Sequence, residues 1–165
     1  MTTPLNDSIT LGHAPGTVEE IERIADGAPV AREKAALDNM ARGSSRIQRA
    51  IEQGQTIYGL TTGVGDLVTT RLSPDRMTDT QLNMLRSHAC GVGPDLTVRE
   101  VRAMMAVTLK SLLQGYSGVT PALAQRIADM LNRQVTPWSP AGGSVGYLIA
   151  TAHIGLAVFG EGKCW

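Results

Sequence analysis

The sequence has 165 residues and a mass of 17.5 kDa, which suits one domain of ordinary size or a part of a larger one. Lysine and arginine together number 15, as do aspartate and glutamate, so no basic excess favours nucleic acid or an anionic membrane surface as a partner. Cys90 and Cys164 are far apart and form no metal-ligand spacing, which argues against a metal site and fits a cytoplasmic location.

The predicted elements, taken in chain order, are mainly helices, and low aromatic content also favours an all-α fold. Thr17 and Glu20 have the spacing of a capping box, which predicts that a helix begins after Thr17. Apolar residues recur at helical intervals over residues 31–53, but Gly43-Ser-Ser45 weakens the middle. This pattern predicts either one helix or a broken pair.

The pattern changes at residues 54–73, which are rich in glycine and threonine, lack a helical period and predict a loop. Helical spacing returns over residues 75–89, and Thr97 and Glu100 form a second capping box. Thr120-Pro121 predicts another helix start, because proline is favoured in the first helical turn.

Residues 147–159 are apolar on all sides, which predicts a helix buried in every direction but is too short to span a bilayer. His153 lies in this segment and is expected to be a core residue. A chain of this size has little room for such a helix. We therefore expect this helix to be covered by further chain or by partner subunits.

The sharpest local motif is Tyr58-Gly-Leu-Thr-Thr-Gly-Val-Gly65. Its glycines let a ligand approach the backbone, and its hydroxyls offer hydrogen bonds. It is neither a Walker loop nor a dinucleotide fingerprint, since both need other residues at fixed spacing. Taken alone, the motif fits a surface turn with a half-buried tyrosine better than it fits a binding loop.

Together with later segments, this motif resembles the tyrosine loop of the aromatic amino acid ammonia-lyase family. The later segments lie in the family's order and are similar to its SHAAGVG, GYSG, GSVG and GEGK motifs. They are Ser87-His-Ala-Cys-Gly-Val-Gly93, Gly115-Tyr-Ser-Gly118, Gly143-Ser-Val-Gly146 and Gly160-Glu-Gly-Lys163. The resemblance implies that residues 1–165 are the N-terminal part of a larger helical-bundle lyase. Such a lyase is a homotetramer, with active sites drawn from several subunits.

The resemblance also implies that Tyr58 is the catalytic base, which removes the proton from the β-carbon of the substrate. A tyrosine has an ordinary pKa of about 10, so a base near neutrality needs donors that favour its phenolate. Thr61, Thr62 and the backbone N–H groups of the loop are the candidate donors. With Gly63 and Gly65, the two threonines are also the expected substrate-binding residues of this loop.

Ser87 and His88 are the other expected substrate-binding residues. The resemblance places His88 where histidine-specific members contact the imidazole ring, whereas phenylalanine and tyrosine enzymes have Phe-Leu or His-Leu there. This favours a histidine-like amino acid, or its betaine, as the small-molecule substrate.

One departure from the family concerns its cofactor. In the family, GSVG is followed by Ala-Ser-Gly, which cyclises into the electrophile 4-methylideneimidazol-5-one (MIO). Here Gly146 is followed directly by Tyr147-Leu148, and Ala-Ser-Gly occurs nowhere in the sequence. The family leads us to expect MIO, but this sequence cannot form it. A second departure is Lys110, where the family usually has asparagine.

Three functions remain open. The first is a carbon–nitrogen lyase that gives an α,β-unsaturated, urocanate-like acid from a histidine-like substrate. The second is an MIO-independent trimethylamine lyase of the ergothionase type, because a quaternary nitrogen leaves without activation by the electrophile. The third is an inactive or truncated homologue with a structural role.

Overall fold

The structure is a computed structural model that describes residues 7–146 and 148–165. Tyr147, at the start of the last predicted helix, lies outside the described residues. The described α-helices are, in chain order, α1 (Val18–Ala25), α2 (Lys34–Glu52), α3 (Pro74–His88), α4 (Val98–Leu112), α5 (Pro121–Asn132) and α6 (Ile149–Val158).

Short strands accompany the helices: β1 (Ile9–Leu11), β2 (Val30–Arg32), β3 (Val92–Asp95) and β4 (Pro140–Gly142). β1 pairs with β2 in parallel, and β3 pairs with β4 in antiparallel fashion. No strand exceeds four residues among the described parts of the chain. The prediction of a mainly helical fold is confirmed.

Helix α4 lies in the centre of the hydrophobic core, where it packs against α1 and α5. Val101, Met105 and Leu109 face inward at helical spacing and are each at most 1% exposed. Across residues 7–146 and 148–165, no helix is long and apolar enough to cross a membrane.

Both predicted capping boxes are present and explain where α1 and α4 begin. The Thr17 hydroxyl accepts the Glu20 N–H, and the Glu20 carboxylate accepts the Thr17 N–H. Thr97 and Glu100 make the same reciprocal bonds. Each pair satisfies N–H groups that the first turn of a helix leaves without partners, so local sequence alone fixes these two helix starts.

Arg102 is a buried cation at the junction of α1, α4 and α5, with 2% of its surface exposed. Its guanidinium donates to the carbonyls of Ile24, Ala25 and Leu131 at 2.8, 3.2 and 3.0 Å. These carbonyls end α1 and α5, where helix dipoles favour a positive charge. Burial lowers the pKa of Arg102, but an arginine remains charged at neutral pH.

Helix α2 runs without a break through Gly43, so the alternative of a broken pair is wrong. A Cβ on Gly43 would lie 2.7 Å from the Gly115 carbonyl oxygen. The turn at Gly115-Tyr-Ser-Gly118 thus rests directly on α2, and the Asn39 amide donates to the neighbouring Gln114 carbonyl at 3.0 Å. Glycine is needed at position 43 for this close approach, at some cost in helix propensity.

Helix α6 is buried along part of its surface only. Ala152, Ile154 and Val158 are buried, whereas Leu148 and Phe159, which flank the helix, are 62% and 63% exposed. Within this chain α6 is thus covered only in part, as expected for a helix that would need further chain or partner subunits to be buried on every side. The physical reason is that α3 packs against one side of α6 and leaves apolar surface on the other.

Candidate active site

The loop that carries Tyr58 is held in shape by its two threonines. Thr61 is 4% exposed, and its hydroxyl accepts the Ile57 N–H at 2.7 Å and contacts the Gln55 carbonyl at 3.1 Å. Thr62 is 3% exposed, and its hydroxyl accepts the Gly59 N–H and donates to the Gly63 carbonyl. Both hydroxyls therefore replace backbone partners that an irregular loop cannot supply.

Tyr58 projects from this loop and is 64% exposed, more than the half-buried tyrosine of a simple turn. Its phenolic oxygen accepts the backbone N–H of Gly65 at 3.2 Å. Gly65 has φ +57°, a conformation that favours glycine. The expectation that threonine hydroxyls donate to Tyr58 is wrong, because the single proton of each points at a backbone carbonyl. The donor is a backbone N–H, the other kind of group expected.

Gly63 is buried where the loop folds back on itself. A Cβ there would lie 2.6 Å from the Cβ of Leu67 and 2.8 Å from the Leu67 carbonyl oxygen. The Gly63 N–H donates to Thr70 at 3.1 Å. Gly63 thus closes the turn that brings the Gly65 N–H to Tyr58.

Helix α3 fixes the position of this loop and carries the second group of candidate residues. The Gln81 side-chain amide donates to the Gly59 carbonyl, next to Tyr58. His88 is seven residues further along, which is about two turns and about 10 Å on the same face of the helix. The tyrosine loop and His88 therefore lie along one face of α3.

The His88 ring is oriented by its own helix. Its Nδ1 lies 2.8 Å from the Met84 carbonyl oxygen, so Nδ1 carries a proton that it donates there. The Ser87 hydroxyl donates to the same carbonyl at 3.0 Å and lies 3.1 Å from His88 Nδ1. Ser87 thus supports the ring from the exposed side of the helix.

A two-pronged ion pair ties the end of α3 to the segment after α6. Arg86 donates through Nε and Nη2 to the two carboxylate oxygens of Glu161 at 2.7 and 2.6 Å. Hydrogen bonding to the partner raises the pKa of Arg86 and lowers the pKa of Glu161. Parallel bonds of this kind restrain orientation as well as distance.

The segment Gly143-Ser-Val-Gly146 leads into α6 through an abrupt junction. Leu148 has φ 54° and ψ 36°, a left-handed conformation that is strained for leucine. Gly143 allows a close approach, since a Cβ there would lie 2.9 Å from Ile149. A cavity of about 130 Å³ opens beside the junction, lined by Met104, residues 140–145 and residues 148–151.

Comparison with known proteins places this arrangement in a family. The sequence model of the aromatic amino acid lyases matches residues 17–165. The chain belongs to the aromatic amino acid lyase family. A histidine ammonia-lyase of Geobacillus thermodenitrificans is 36% identical over 158 residues, which cover 94% of this chain and 31% of that protein. A probable histidine ammonia-lyase of Thermoplasma acidophilum is 47% identical over 120 residues, or 71% of this chain and 24% of that protein.

Solved structures give the same family. The tyrosine aminomutase of Streptomyces globisporus superposes with a TM-score of 0.92 at 31% identity, covering 96% of this chain and 30% of that one. The ergothioneine-degrading ergothionase of Treponema denticola also has a TM-score of 0.92, at 27% identity, covering 96% of this chain and 32% of that one. The chain spans about a third of the length of the relatives that it matches most fully.

The residues of this lyase-family chain do not fit the MIO group. MIO is made from the backbone of Ala-Ser-Gly, and only residues 147 and 148 lie between Gly146 and the start of α6. Neither of these two residues is alanine, serine or glycine. The junction therefore lacks the atoms from which the family's electrophile is built.

Lys110, the second departure from the family pattern, has a structural partner. Its amine donates to the carbonyls of Gly12 and Ala14, and the Gln114 amide also donates to Gly12, at 3.1 Å. Lys110 thus anchors the segment that precedes α1 to the end of α4.

Three long-range hydrogen bonds near the site were missed from the sequence. Gln81, Glu161 and His153 bind partners that are 22, 75 and 62 positions away in the chain. Glu161 lies in a motif that the sequence analysis singled out, so a signal was present for that residue. Gln81 and His153 carry no local pattern that separates them from other helical residues.

Proposed function

We propose that the protein is a carbon–nitrogen lyase that acts on a histidine-like amino acid or its betaine, with Tyr58 as the base. The observation that carries this proposal is the exposed Tyr58 oxygen held by the Gly65 N–H, on a loop bound to α3. His88 lies on the same face of that helix, so base and ring-binding group share one rigid support.

In the proposed reaction, Tyr58 in its phenolate form takes a proton from the β-carbon of the substrate. The electron pair of the broken C–H bond forms the α,β double bond, and the C–N bond breaks with its electrons on nitrogen. The products are an unsaturated, urocanate-like acid, the free amine and a protonated Tyr58. His88 would contact the imidazole ring of the substrate, with its own ring oriented by the Met84 carbonyl and supported by Ser87.

Of the two substrates, we favour the betaine. A primary amine leaves poorly from carbon unless it is activated, and the residues after Gly146 cannot build the group that activates it in the family. A quaternary nitrogen leaves as neutral trimethylamine without that help. The similarity to an ergothionase supports this choice, because that relative degrades ergothioneine.

We further propose that activity requires more than these residues. Since the chain spans about a third of its relatives' length, the remaining site residues would come from further chain and from the other subunits of a homotetramer. Thr61, Thr62 and Gly63 would support the loop, with the substrate approaching its Tyr58 side. We expect the protein to act in the cytoplasm on a small molecule, without nucleic acid or membrane partners.

The test is an assay of the complete gene product with ergothioneine, histidine betaine and histidine. We expect trimethylamine and an unsaturated acid from a betaine, no ammonia from histidine, and no product from the Y58F variant. Ammonia release from histidine would refute the choice of leaving group. A folded oligomer that is inactive on all three substrates would indicate the inactive homologue instead.

A further inference from the structure

His153 connects α6 to the segment that follows His88. Its Nε2 accepts the backbone N–H of Gly91 at 3.2 Å. An imidazole nitrogen accepts a hydrogen bond only when it is unprotonated, so the ring is neutral with its proton on Nδ1. The edge of the ring meets Trp138, with centroids 5.5 Å apart and planes at 85°. His153 is therefore held in one orientation from two sides.

Gly91 lies in a narrow space between α6 and β4. A Cβ on Gly91 would lie 2.6 Å from Pro140 and 3.1 Å from Ile149. The backbone here is close to its neighbours and half-buried, so an N–H without a partner would be costly. His153 supplies the acceptor that neither strand pairing nor α3 provides for Gly91.

We propose that His153 is a positioning residue that fixes residues 89–91 against α6 and thereby sets the location of the His88 ring. Only three peptide bonds link His88 to Gly91, and α3 ends at His88. A displacement of Gly91 is therefore transmitted to the end of that helix. The consequence for substrate binding rests on the function proposed above, whereas the contact itself does not.

This role has a defined dependence on pH. Protonation would make both ring nitrogens donors, and the imidazolium could no longer accept the Gly91 N–H. Burial lowers the pKa of His153, so the neutral ring persists further into acid than an ordinary histidine. The contact is present above the ordinary value of 6.5 and is lost as pH falls through the lowered value.

Other charged groups lie near α6. The Lys163 ammonium lies 5.4 Å from the centroid of the Trp138 ring, which the edge of the His153 ring meets. Other titratable groups on the segments around this helix include His88 and Arg86 at the end of α3, Cys90 beside Gly91, Glu161 bound to Arg86, and Cys164 next to Lys163. Asp75, Arg76 and Asp79 lie further back along α3, and Asp95 ends β3.

The experiment compares the wild-type chain with the H153Q and H153L variants by nuclear magnetic resonance. A glutamine oxygen reaches about as far as Nε2 and accepts an N–H without titrating, whereas leucine keeps apolar volume and removes the acceptor. In wild type, the Gly91 amide shift should titrate with the midpoint of the His153 ring. In H153L, exchange of the Gly91 amide should rise about tenfold, as expected for the loss of one hydrogen bond. In H153Q, the Gly91 amide should remain protected from exchange, and this protection should no longer depend on pH.

Unchanged Gly91 exchange in H153L would overturn the proposal. If H153L does not fold, wild type is compared with H153Q. A Gly91 amide that titrates equally in both would also overturn the proposal. In the complete gene product, H153L should raise KM more than it lowers kcat, and H153Q should restore KM. Absence of any turnover would reject the proposed function and leave the resonance result standing.

Discussion

Replacing Arg102 by methionine should destabilise the chain more than any single change on its surface. The variant keeps an unbranched side chain that reaches as far as the arginine Nε, but it removes the guanidinium and its three bonds to the ends of α1 and α5. Ile24 and Leu131 retain a second partner for their carbonyls, because the Gly27 N–H and the Gln134 N–H also donate to them. The Ala25 carbonyl, which loses its bond from Arg102, therefore accounts for most of the lost stability.

The magnitude follows from these partners. One carbonyl left without a donor costs about 1–3 kcal/mol, and two weakened charge-assisted bonds add to that cost. Burying methionine in place of a cation offsets part of it, because the desolvation of the charge is avoided. We expect a net loss of about 3 kcal/mol, which corresponds to about 6–12 °C in Tm for a chain of this length.

Urea unfolding of wild type, R102M and R102K, followed by circular dichroism, measures this loss. A lysine ammonium reaches the same carbonyls but lacks the planar fork, so R102K should lose about half as much. R126M is the matched control, since Arg126 is exposed on α5 and its replacement should change little. The reasoning is refuted if R102M unfolds within about 0.5 kcal/mol of wild type.

Three further predictions follow from close contacts, strain and ionisation. G43A should lower the free energy of unfolding by about 1–2 kcal/mol in urea, because a clash with the Gly115 carbonyl outweighs the gain in helix propensity. The exposed S45A change on the same helix should not destabilise, and a gain in G43A would contradict the clash. L148G should raise Tm, because it releases the strain of a left-handed conformation at an exposed leucine. The added chain entropy of glycine in the unfolded state costs about 1 kcal/mol or less. A fall in Tm would disprove the strain. The lowered pKa of Glu161 means that its ion pair stabilises the fold above the ordinary value of 4.5 and is lost as pH falls through the lowered value. Wild type and E161Q should therefore differ in stability at neutral pH and converge in acid, and a constant difference would rule this out.

Local features of the sequence predicted local features of the fold. The helix starts at Thr17 and Thr97 depend on side chains three residues apart, so the pattern contains the whole mechanism. The continuity of α2 was not predictable in the same way. Gly43 lowers helix propensity, and its reason, the Gly115 carbonyl, is 72 positions away in the chain.

In the candidate site, too, local motifs could be predicted from the sequence, whereas contacts that depend on packing could not. The tyrosine loop and the His88 segment were recognisable as motifs, but their donors depended on packing. Threonine hydroxyls next to Tyr58 in sequence bind the backbone of their own loop, and Gly65 supplies the N–H instead. The hydrogen bond from Gln81 joins a helix to a loop, and no spacing within either segment announces it.

The seven-residue separation of Gln81 and His88 along α3 sets the distance between the tyrosine loop and the His88 ring. Because a helix resists stretching, the gap between the tyrosine loop and the histidine ring is fixed at about two turns. If Tyr58 and His88 contact the same substrate, a substrate whose ring is joined by one additional methylene could not make both contacts at once. Inserting a single residue between the two positions would turn His88 by about 100° around the helix axis and direct it away from the loop.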